Sequence, residues 1–124
     1  MDFKQLFLSF DGRLNRAKFW IGAIILAVIN FVISGLGWAL GVTQKTTEVL
    51  TVEPIAFALF GLAWLVILYP SICLLIKRCH DRNKSGWWLF AMIVPILNIW
   101  VFITIYFLRG TSGDNRFGRD PLAA

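Results

Sequence analysis

Three long apolar stretches most constrain what this chain can fold into. Phe19–Val42, Ile55–Ile76 and Trp87–Leu108 contain no Asp, Glu, Lys, Arg or His. Each is long enough for a helix to cross a bilayer core, which takes roughly 20 residues. A helix also satisfies the backbone N–H and C=O groups internally, as lipid requires. The stretches therefore predict an all-α membrane protein with three transmembrane helices.

Composition supports the same class of protein. Hydrophobic residues make up 58% of the chain and charged residues 15%, whereas soluble domains contain about 25% charged residues. The net charge of +5 raises the question of nucleic acid, but all 12 Lys and Arg residues lie outside the apolar stretches. In that position they orient a membrane protein and meet anionic headgroups. We therefore expect no nucleic-acid partner.

The chain is predicted to form a single membrane domain over residues 1–124. Its parts are an entry segment (1–18), three spans (19–42, 55–76 and 87–108), a polar link from Thr43 to Pro54, a basic cytoplasmic loop (77–86) and a polar tail (109–124). No cleavable signal peptide is expected, because the first stretch starts only at Phe19 and exceeds a signal core of roughly 7–15 residues.

The entry segment contains its own helical pattern. Phe3, Leu6, Phe7 and Phe10 gather on one side of a helix, which predicts a short amphipathic helix lying in the membrane interface. Asn15 is placed to cap the helix of the first span.

The distribution of basic residues predicts the orientation. The entry segment and the basic loop contain twice as many Lys and Arg residues as the link and the tail. Three crossings therefore place the N-terminus in the cytoplasm and the C-terminus outside. A break at Pro95 gives the alternative of a re-entrant hairpin, which returns the tail to the cytoplasm but needs protein around its non-helical backbone. We favour three crossings.

Two polar residues lie within the apolar stretches at similar depth. Asn30 is near the middle of the first stretch and Asn98 near the middle of the third. We predict an interhelical hydrogen bond between them, with a strength of about 0.6 kcal/mol. The alternatives are that each Asn bonds its own backbone or a second copy of the chain.

Polar and aromatic residues gather in three clusters at the ends of the stretches. The clusters are GRLNRAKFW from Gly12, KRCHDRNKSGWW from Lys77 and GDNRFGRDP from Gly113. Together they resemble the domain of unknown function 805 family of small bacterial inner-membrane proteins, with Cys79 departing from a leucine-like position in the central motif. The resemblance implies a bacterial inner-membrane location and a multi-helix fold, and it supplies no activity.

The aromatic and arginine residues of these clusters suggest contact with lipid. Trp side chains at span ends anchor depth in the headgroup layer, and arginines neutralise lipid phosphates. Generic anchoring and orientation charge explain the same residues more simply. The sharper hypothesis makes them a lipid- or partner-binding set: Arg13, Arg16, Arg78, Arg82, Trp20, Trp87 and Trp88.

His80 and Asp81 are the most chemically suggestive pair. Histidine serves as a proton relay or metal ligand near neutral pH, but adjacent residues rarely point at one metal, so no metal site is expected. We predict instead that Asp81 pairs with Arg78 or Arg13 and joins the cytoplasmic ends of two helices. The structural polar cluster is predicted to contain Arg78, His80, Asp81, Asn115, Arg116 and Asp120, with simple turns as the alternative for the tail residues.

The sequence predicts a non-enzymatic scaffold or accessory module. It contains no phosphate-binding glycine loop, zinc-protease motif or nucleophile elbow, so we expect no catalytic residue and no cofactor. The expected partners are anionic membrane lipids, a second copy of the chain or another membrane protein. The alternative is a small oligomeric channel or transporter lined by Asn30, Ser34, Ser71 and Asn98. The lack of charge within the stretches favours the first hypothesis.

Overall fold

The secondary-structure elements that the computed structural model describes, over residues 2–40 and 54–122, are all helices. The elements are α1 (Phe3–Leu8), α2 (Arg16–Ala39), α3 (Pro54–Asp81), a 3₁₀ helix (Gly86–Ile93) and α4 (Leu97–Tyr106). The predicted all-α fold class is confirmed. The predicted link after the first span lies, apart from Pro54, outside the described residues.

Helix α1 forms where the entry segment predicts a short amphipathic helix. The carboxylate of Asp2 caps it by accepting a hydrogen bond from the backbone N–H of Lys4 at 2.9 Å, as N-cap residues do. Leu6 joins the core while Phe3 is 60% exposed, and the helix packs on α3. Its position at a membrane surface stays a prediction.

Helices α2 and α3 pack together as an antiparallel pair. The predicted cap of α2 is confirmed, because the Asn15 side chain accepts a hydrogen bond from the N–H of Lys18 at 2.9 Å. A Cβ on Gly22 would lie 3.0 Å from the methyl groups of Leu74, so this glycine permits the close approach typical of membrane helices. Further along α2, Asn30 lines a cavity with Ser71 of α3.

Helix α3 continues beyond the predicted end of the second span at Ile76. It passes through Pro70 without ending and stops at Asp81. Residues 77–81 are therefore the last turns of a helix, which corrects their assignment to a loop over 77–86. The physical reason is that the change from apolar to charged residues ends the hydrophobic pattern but not the helix.

The third stretch is not one helix, which corrects the expected transmembrane helix over 87–108. The 3₁₀ helix ends at Ile93 and α4 begins at Leu97. Pro95 lies between them and lacks a backbone N–H. Ile96 has a φ of 72°, a conformation that β-branched residues rarely adopt. The backbone therefore turns between the two helices.

The chain reverses its direction at this turn. The 3₁₀ helix follows closely on α3 and packs against it. The carbonyl groups of Ile105 and Leu108, at the end of α4, accept hydrogen bonds from Arg78, near the end of α3. The start and the end of the third stretch thus lie at the same end of the molecule. We call residues 86–106 the apolar hairpin.

The predicted hydrogen bond between Asn30 and Asn98 is not present among the described residues. Asn30 instead accepts a hydrogen bond from the hydroxyl of Ser34 in its own helix at 3.4 Å. Asn98 lies in the first turn of α4 and is exposed near the tip of the hairpin. The prediction assumed a continuous third helix packed along the first, and the turn at Val94–Ile96 removes that arrangement.

The outer surface of the helices is strongly apolar. Of the described helices, α2 and α3 are long and apolar enough to cross a membrane, and only 11% and 17% of their most apolar windows are buried. The core helix of a soluble protein would be mostly buried. These exposed faces therefore require an apolar surrounding such as lipid.

Candidate functional site

The three polar clusters of the sequence meet at one end of the molecule. The backbone N–H of Leu14 donates to the carbonyl of Lys77 at 3.3 Å, and that of Thr111 donates to the carbonyl of Asp81 at 2.7 Å. These bonds join the segments 11–16, 77–84 and 109–120. We call this region the polar end.

Asp81 is the central residue of the polar end. Its carboxylate lies 3.2 Å from Nε of Arg13 and also forms a close ion pair with Arg78. The side chains of these three residues are 4%, 1% and 0% exposed. Both arginines that the sequence offers as partners therefore pair with the same carboxylate. Buried charges require such pairing because they have lost their contact with water.

Arg13 uses its remaining nitrogens to hold the tail. One terminal nitrogen donates to the carbonyl of Gly113 and the other to that of Thr111, both at 2.6 Å. Because Arg13 belongs to the entry segment, these bonds connect the beginning of the chain to its end.

Arg78 bonds the end of the apolar hairpin. Its Nε donates to the carbonyl of Ile105 at 2.8 Å, and a terminal nitrogen donates to that of Leu108. The other terminal nitrogen reaches the carbonyl of Leu14 at 3.3 Å as well as Asp81. Its charge is paired and all three of its nitrogens donate hydrogen bonds inside the protein, and its side chain is buried, so this residue is not exposed to a lipid headgroup.

Side chains of α2 bond the two carbonyl groups that lie between those of Ile105 and Leu108. The indole N–H of Trp20 donates to the carbonyl of Tyr106 at 3.0 Å, and Arg16 donates to that of Phe107 at 2.9 Å. The last carbonyls of a helix have no partner within it, and cations near them are favoured by the helix dipole. The polar end therefore caps α4 with groups from α2 and α3.

Lys77 caps α1 in the same way. Its ammonium donates to the carbonyls of Gln5 and Leu6, and the hydroxyl of Tyr69 donates to the carbonyl of Leu8 at 3.0 Å. Lys77 is only 2% exposed. The sequence gives no indication of this role, because a lysine just after an apolar stretch has the pattern of an ordinary orientation charge.

Gly110 is a second residue that sequence analysis missed. A Cβ at this position would lie 1.9 Å from a carboxylate oxygen of Asp81. A side chain here would displace a carboxylate that two arginines hold in place. Its position two residues after the third stretch, next to Arg109, gives no indication of this contact.

Asp81, Arg13 and Arg78 form what we call the Asp81 cluster. His80 and the tail form a second layer beside it. Nδ1 of His80 lies 3.0 Å from the carbonyl oxygen of Gly12, and since a carbonyl only accepts, Nδ1 is the protonated nitrogen. The imidazole stacks on Phe117 with ring centroids 4.0 Å apart. The amide of Asn115 donates to the carbonyl of His80 at 3.0 Å. The structure thus brings together His80 and Asn115, two residues of the predicted structural polar cluster.

Arg116 and Asp120 lie at the outer edge of the tail. Arg116 reaches the carbonyl of Asn83 at 3.4 Å and lies over the Phe117 ring. Asp120 accepts hydrogen bonds from the backbone N–H groups of Leu122 and Gly113. These two bonds hold the pKa of its carboxyl group below the ordinary value. Asp120 therefore stabilises turns of the tail, and Arg116 joins the tail to the turn after α3.

The remaining predicted lipid-contact residues lie near the start of the hairpin. Trp87 is 77% exposed and stacks on Phe90. Trp88 is half-buried, with the ammonium of Lys84 5.4 Å from its ring centroid. Arg82 donates to the carbonyl of Arg109 at 2.5 Å. Of the predicted lipid-contact set, Arg13 and Arg78 are buried, whereas Arg16, Trp20 and Trp87 are exposed.

The chemistry of the Asp81 cluster is that of a structural junction. Its carboxylate is held by two guanidinium groups, and the other donors of those arginines are bonded to backbone carbonyls. Among the described residues, no group of three or more His, Cys, Asp or Glu side chains has the spacing of a metal site. The arrangement is suited to holding the entry segment, α3, the hairpin and the tail in one geometry.

Comparison with known proteins identifies relatives over almost the whole chain. The family model described as "Protein of unknown function (DUF805)" matches residues 7–119. The Escherichia coli K12 protein "Inner membrane protein YhaI" is 29% identical, over 93% of this chain and 87% of the relative. "Inner membrane protein YhaH" from the same strain is 27% identical, over 93% and 88%. No solved structure matches the chain.

Proposed function

The chain belongs to the DUF805 family of proteins of unknown function, and we propose that it is a multi-pass inner-membrane module without catalytic activity that contacts anionic lipid through its basic polar end. Relatives in this family are inner membrane proteins by name. The proposal combines that location with the observation that some basic residues of the polar end are buried and bonded within the protein, whereas others are exposed.

In the proposed topology, α2 and α3 cross the membrane and the apolar hairpin enters and leaves by the same face. Ten residues of α4 rise about 15 Å, and eight residues of 3₁₀ helix rise about 16 Å. Each arm therefore reaches about the middle of a bilayer core roughly 30 Å thick. The bonds from Arg78 to both Ile105 and Leu108 support the return of the hairpin.

The proposed topology gathers the basic residues on one face. Every Lys and Arg residue except Lys45 belongs to the entry segment, the end of α3, the turn after it or the tail. Positive charge marks the cytoplasmic side of inner-membrane proteins. We therefore place the polar end and both chain termini in the cytoplasm, where anionic lipid surfaces attract exposed cations.

The observation that carries the proposal is that only some of these cations are used inside the protein. Lys77 and Arg78 are buried and bond backbone carbonyls. Lys18, Lys84 and Arg119 are exposed at the same end. Buried cations build the junction, and exposed cations remain available to lipid phosphates.

Two further exposed cations, Arg16 and Arg109, line a groove at the polar end. Its volume is about 410 Å³, and it lies between the start of α2, the end of α4 and the tail. Trp20 lines it too, together with the carboxylates of Asp81 and Asp120. Arginine beside an amphipathic aromatic ring is the combination expected at a headgroup layer.

A second candidate function is a small oligomeric channel. The observation that favours it is a cavity of about 210 Å³ between α2 and α3, which Asn30 and Ser71 line. These are two of the four residues expected to line such a path. The hydroxyl of Ser71 donates to the carbonyl of Ile67 at 2.9 Å, so it retains only acceptor capacity for a permeating solute.

Reconstitution into lipid bilayers tests the proposal against this alternative. The full chain is placed in nanodiscs with an increasing fraction of phosphatidylglycerol, and its thermal midpoint is measured at low and high salt. We expect the midpoint to rise with the anionic fraction and the rise to shrink in salt, because exposed charges are screened. Lys18→Gln should reduce the rise, whereas Lys18→Arg, which keeps the charge, serves as the matched control.

Solute flux through liposomes separates the two functions. The proposal predicts the same leakage from liposomes with and without the protein. Specific solute flux, together with a thermal midpoint that does not change with the fraction of anionic lipid, would overturn the proposal in favour of a channel.

A further inference from the structure

Arg82 carries a buried N–H group that lacks a partner in the described part of the chain. Its Nε atom is shielded from solvent and forms no hydrogen bond, although a terminal nitrogen of the same side chain donates to the carbonyl of Arg109. A buried donor without an acceptor is costly, and more so on a charged group. The Nε–H group therefore points to an acceptor that the protein does not supply.

A cavity lies beside Arg82, between the end of α3 and the apolar hairpin. Its volume is about 160 Å³, which equals about five water molecules in the liquid. That space fits a tetrahedral oxyanion and is too small for a nucleotide. Lys84 lines the cavity as well, and no Asp or Glu is among the described residues around it. Two cations without a counter-charge favour an anionic ligand.

Aromatic residues of the hairpin also line the cavity. They are Trp88 and Trp100, and Thr104 lines it beside them. Trp100 is 54% exposed on α4, on a surface that faces lipid in the proposed topology. The cavity thus lies where the polar end meets the hairpin, which is the level of the headgroup layer.

We propose that this cavity binds a phosphate oxyanion, supplied by the headgroup of an anionic phospholipid. The guanidinium group of Arg82 and the ammonium of Lys84 donate charge-assisted hydrogen bonds to the phosphate oxygens. A water molecule could accept a hydrogen bond but would not neutralise the charge of either cation. The acyl chains of the lipid then lie along the apolar hairpin. This inference rests on the proposed function and gives it a specific site.

The test uses the full chain purified in a maltoside detergent and three probes. The probes are phosphatidylglycerol, inorganic phosphate and a diacyl glycolipid that lacks phosphate. Native mass spectrometry measures the lipid that the protein retains, and thermal unfolding measures protection by each probe. The cavity variants are Arg82→Gln and Lys84→Gln, and Arg119→Gln removes an exposed cation outside the cavity as the matched control.

The variant at Lys84 keeps the test decisive if Arg82→Gln fails to fold. Lys84 is exposed, and its side chain contacts the Trp88 ring rather than a backbone carbonyl. We expect the wild-type protein to retain phosphatidylglycerol in preference to the glycolipid. Either cavity variant should weaken that binding about tenfold, whereas the control should bind as the wild type does.

The possible outcomes separate this site from the wider proposal. Protection by inorganic phosphate equal to that by phosphatidylglycerol would keep the oxyanion site and overturn lipid as its source. Equal losses in the control and the cavity variants would overturn the cavity but leave contact between anionic lipid and the basic end. If no form of the protein prefers phosphatidylglycerol to the glycolipid, both proposals are wrong.

Discussion

Side chains at the polar end bond to one another, whereas side chains at the tip of the apolar hairpin have few protein neighbours. Asp81 and Arg78 are almost completely buried, and their polar groups are bonded within the protein. Ile93 and Ile96 at the tip are 76% and 84% exposed. Contacts within the protein thus fix the geometry of the polar end, whereas the tip of the hairpin exposes apolar side chains to the surrounding medium. This is expected for a chain whose apolar surface faces lipid.

The largest effect should come from removing the central carboxylate. Asp81→Asn leaves Arg13 and Arg78 buried without a counter-charge, and breaking a buried ion pair costs about 3–5 kcal/mol. We expect a loss of this size in the free energy of unfolding, measured by denaturant titration in detergent. A variant as stable as the wild type would show that the polar end does not hold the fold together.

A smaller loss is expected from a methyl group added beside that carboxylate. In Gly110→Ala the new Cβ would lie 1.9 Å from an Asp81 oxygen, so the carboxylate or the tail must move, at a cost of about 1–3 kcal/mol. Gly61→Ala is the matched control, because a Cβ there has no neighbour within 4 Å. Thermal unfolding should separate the two variants, and equal midpoints would contradict the close contact.

The hydrogen bond from Trp20 to the end of α4 should make a modest contribution to the free energy of unfolding. Trp20→Phe keeps an aromatic ring beside Tyr106 but removes the N–H that bonds its carbonyl, which should cost about 1 kcal/mol. Trp87→Phe is the control, since the Trp87 ring is mostly exposed. The same denaturant titration measures both. A larger loss in the control would show that the hairpin, rather than its cap, limits stability.

The smallest effect is expected at the tip of the hairpin, and with the opposite sign. Ile96 has a positive φ and is 84% exposed, so Ile96→Gly relieves backbone strain and removes little packing. We expect a gain of about 1 kcal/mol. A clear loss of stability would mean that the Ile96 side chain packs against a partner, such as a second copy of the chain.

The sequence predicts those parts of the fold that local patterns determine. Apolar length identifies α2 and α3, Asn15 marks the start of α2, and Asp81 beside the arginines that border the second stretch predicts an ion pair with Arg78 or Arg13. Most of these inferences depend on residues close together in the chain.

The remaining features depend on contacts between distant segments. The third stretch is long enough to cross a membrane or to turn back within it, and hydropathy does not distinguish the two. The role of Lys77 depends on the carbonyls of α1, and that of Gly110 on the position of Asp81. Local sequence contains neither contact. The hairpin could therefore be predicted only as one of two alternatives, and the caps that Lys77 and Arg78 provide could not be predicted at all.

The central claim is that the third stretch returns to the face where it started. Single cysteines at Lys4 and Arg119, in a chain with Cys73 and Cys79 replaced by Ala, can be labelled with a membrane-impermeant thiol reagent in spheroplasts and in inverted vesicles. The account predicts that both cysteines react only in inverted vesicles, from the cytoplasmic side. Labelling of Arg119→Cys in spheroplasts, with Lys4→Cys still protected there, would establish three full crossings and contradict it.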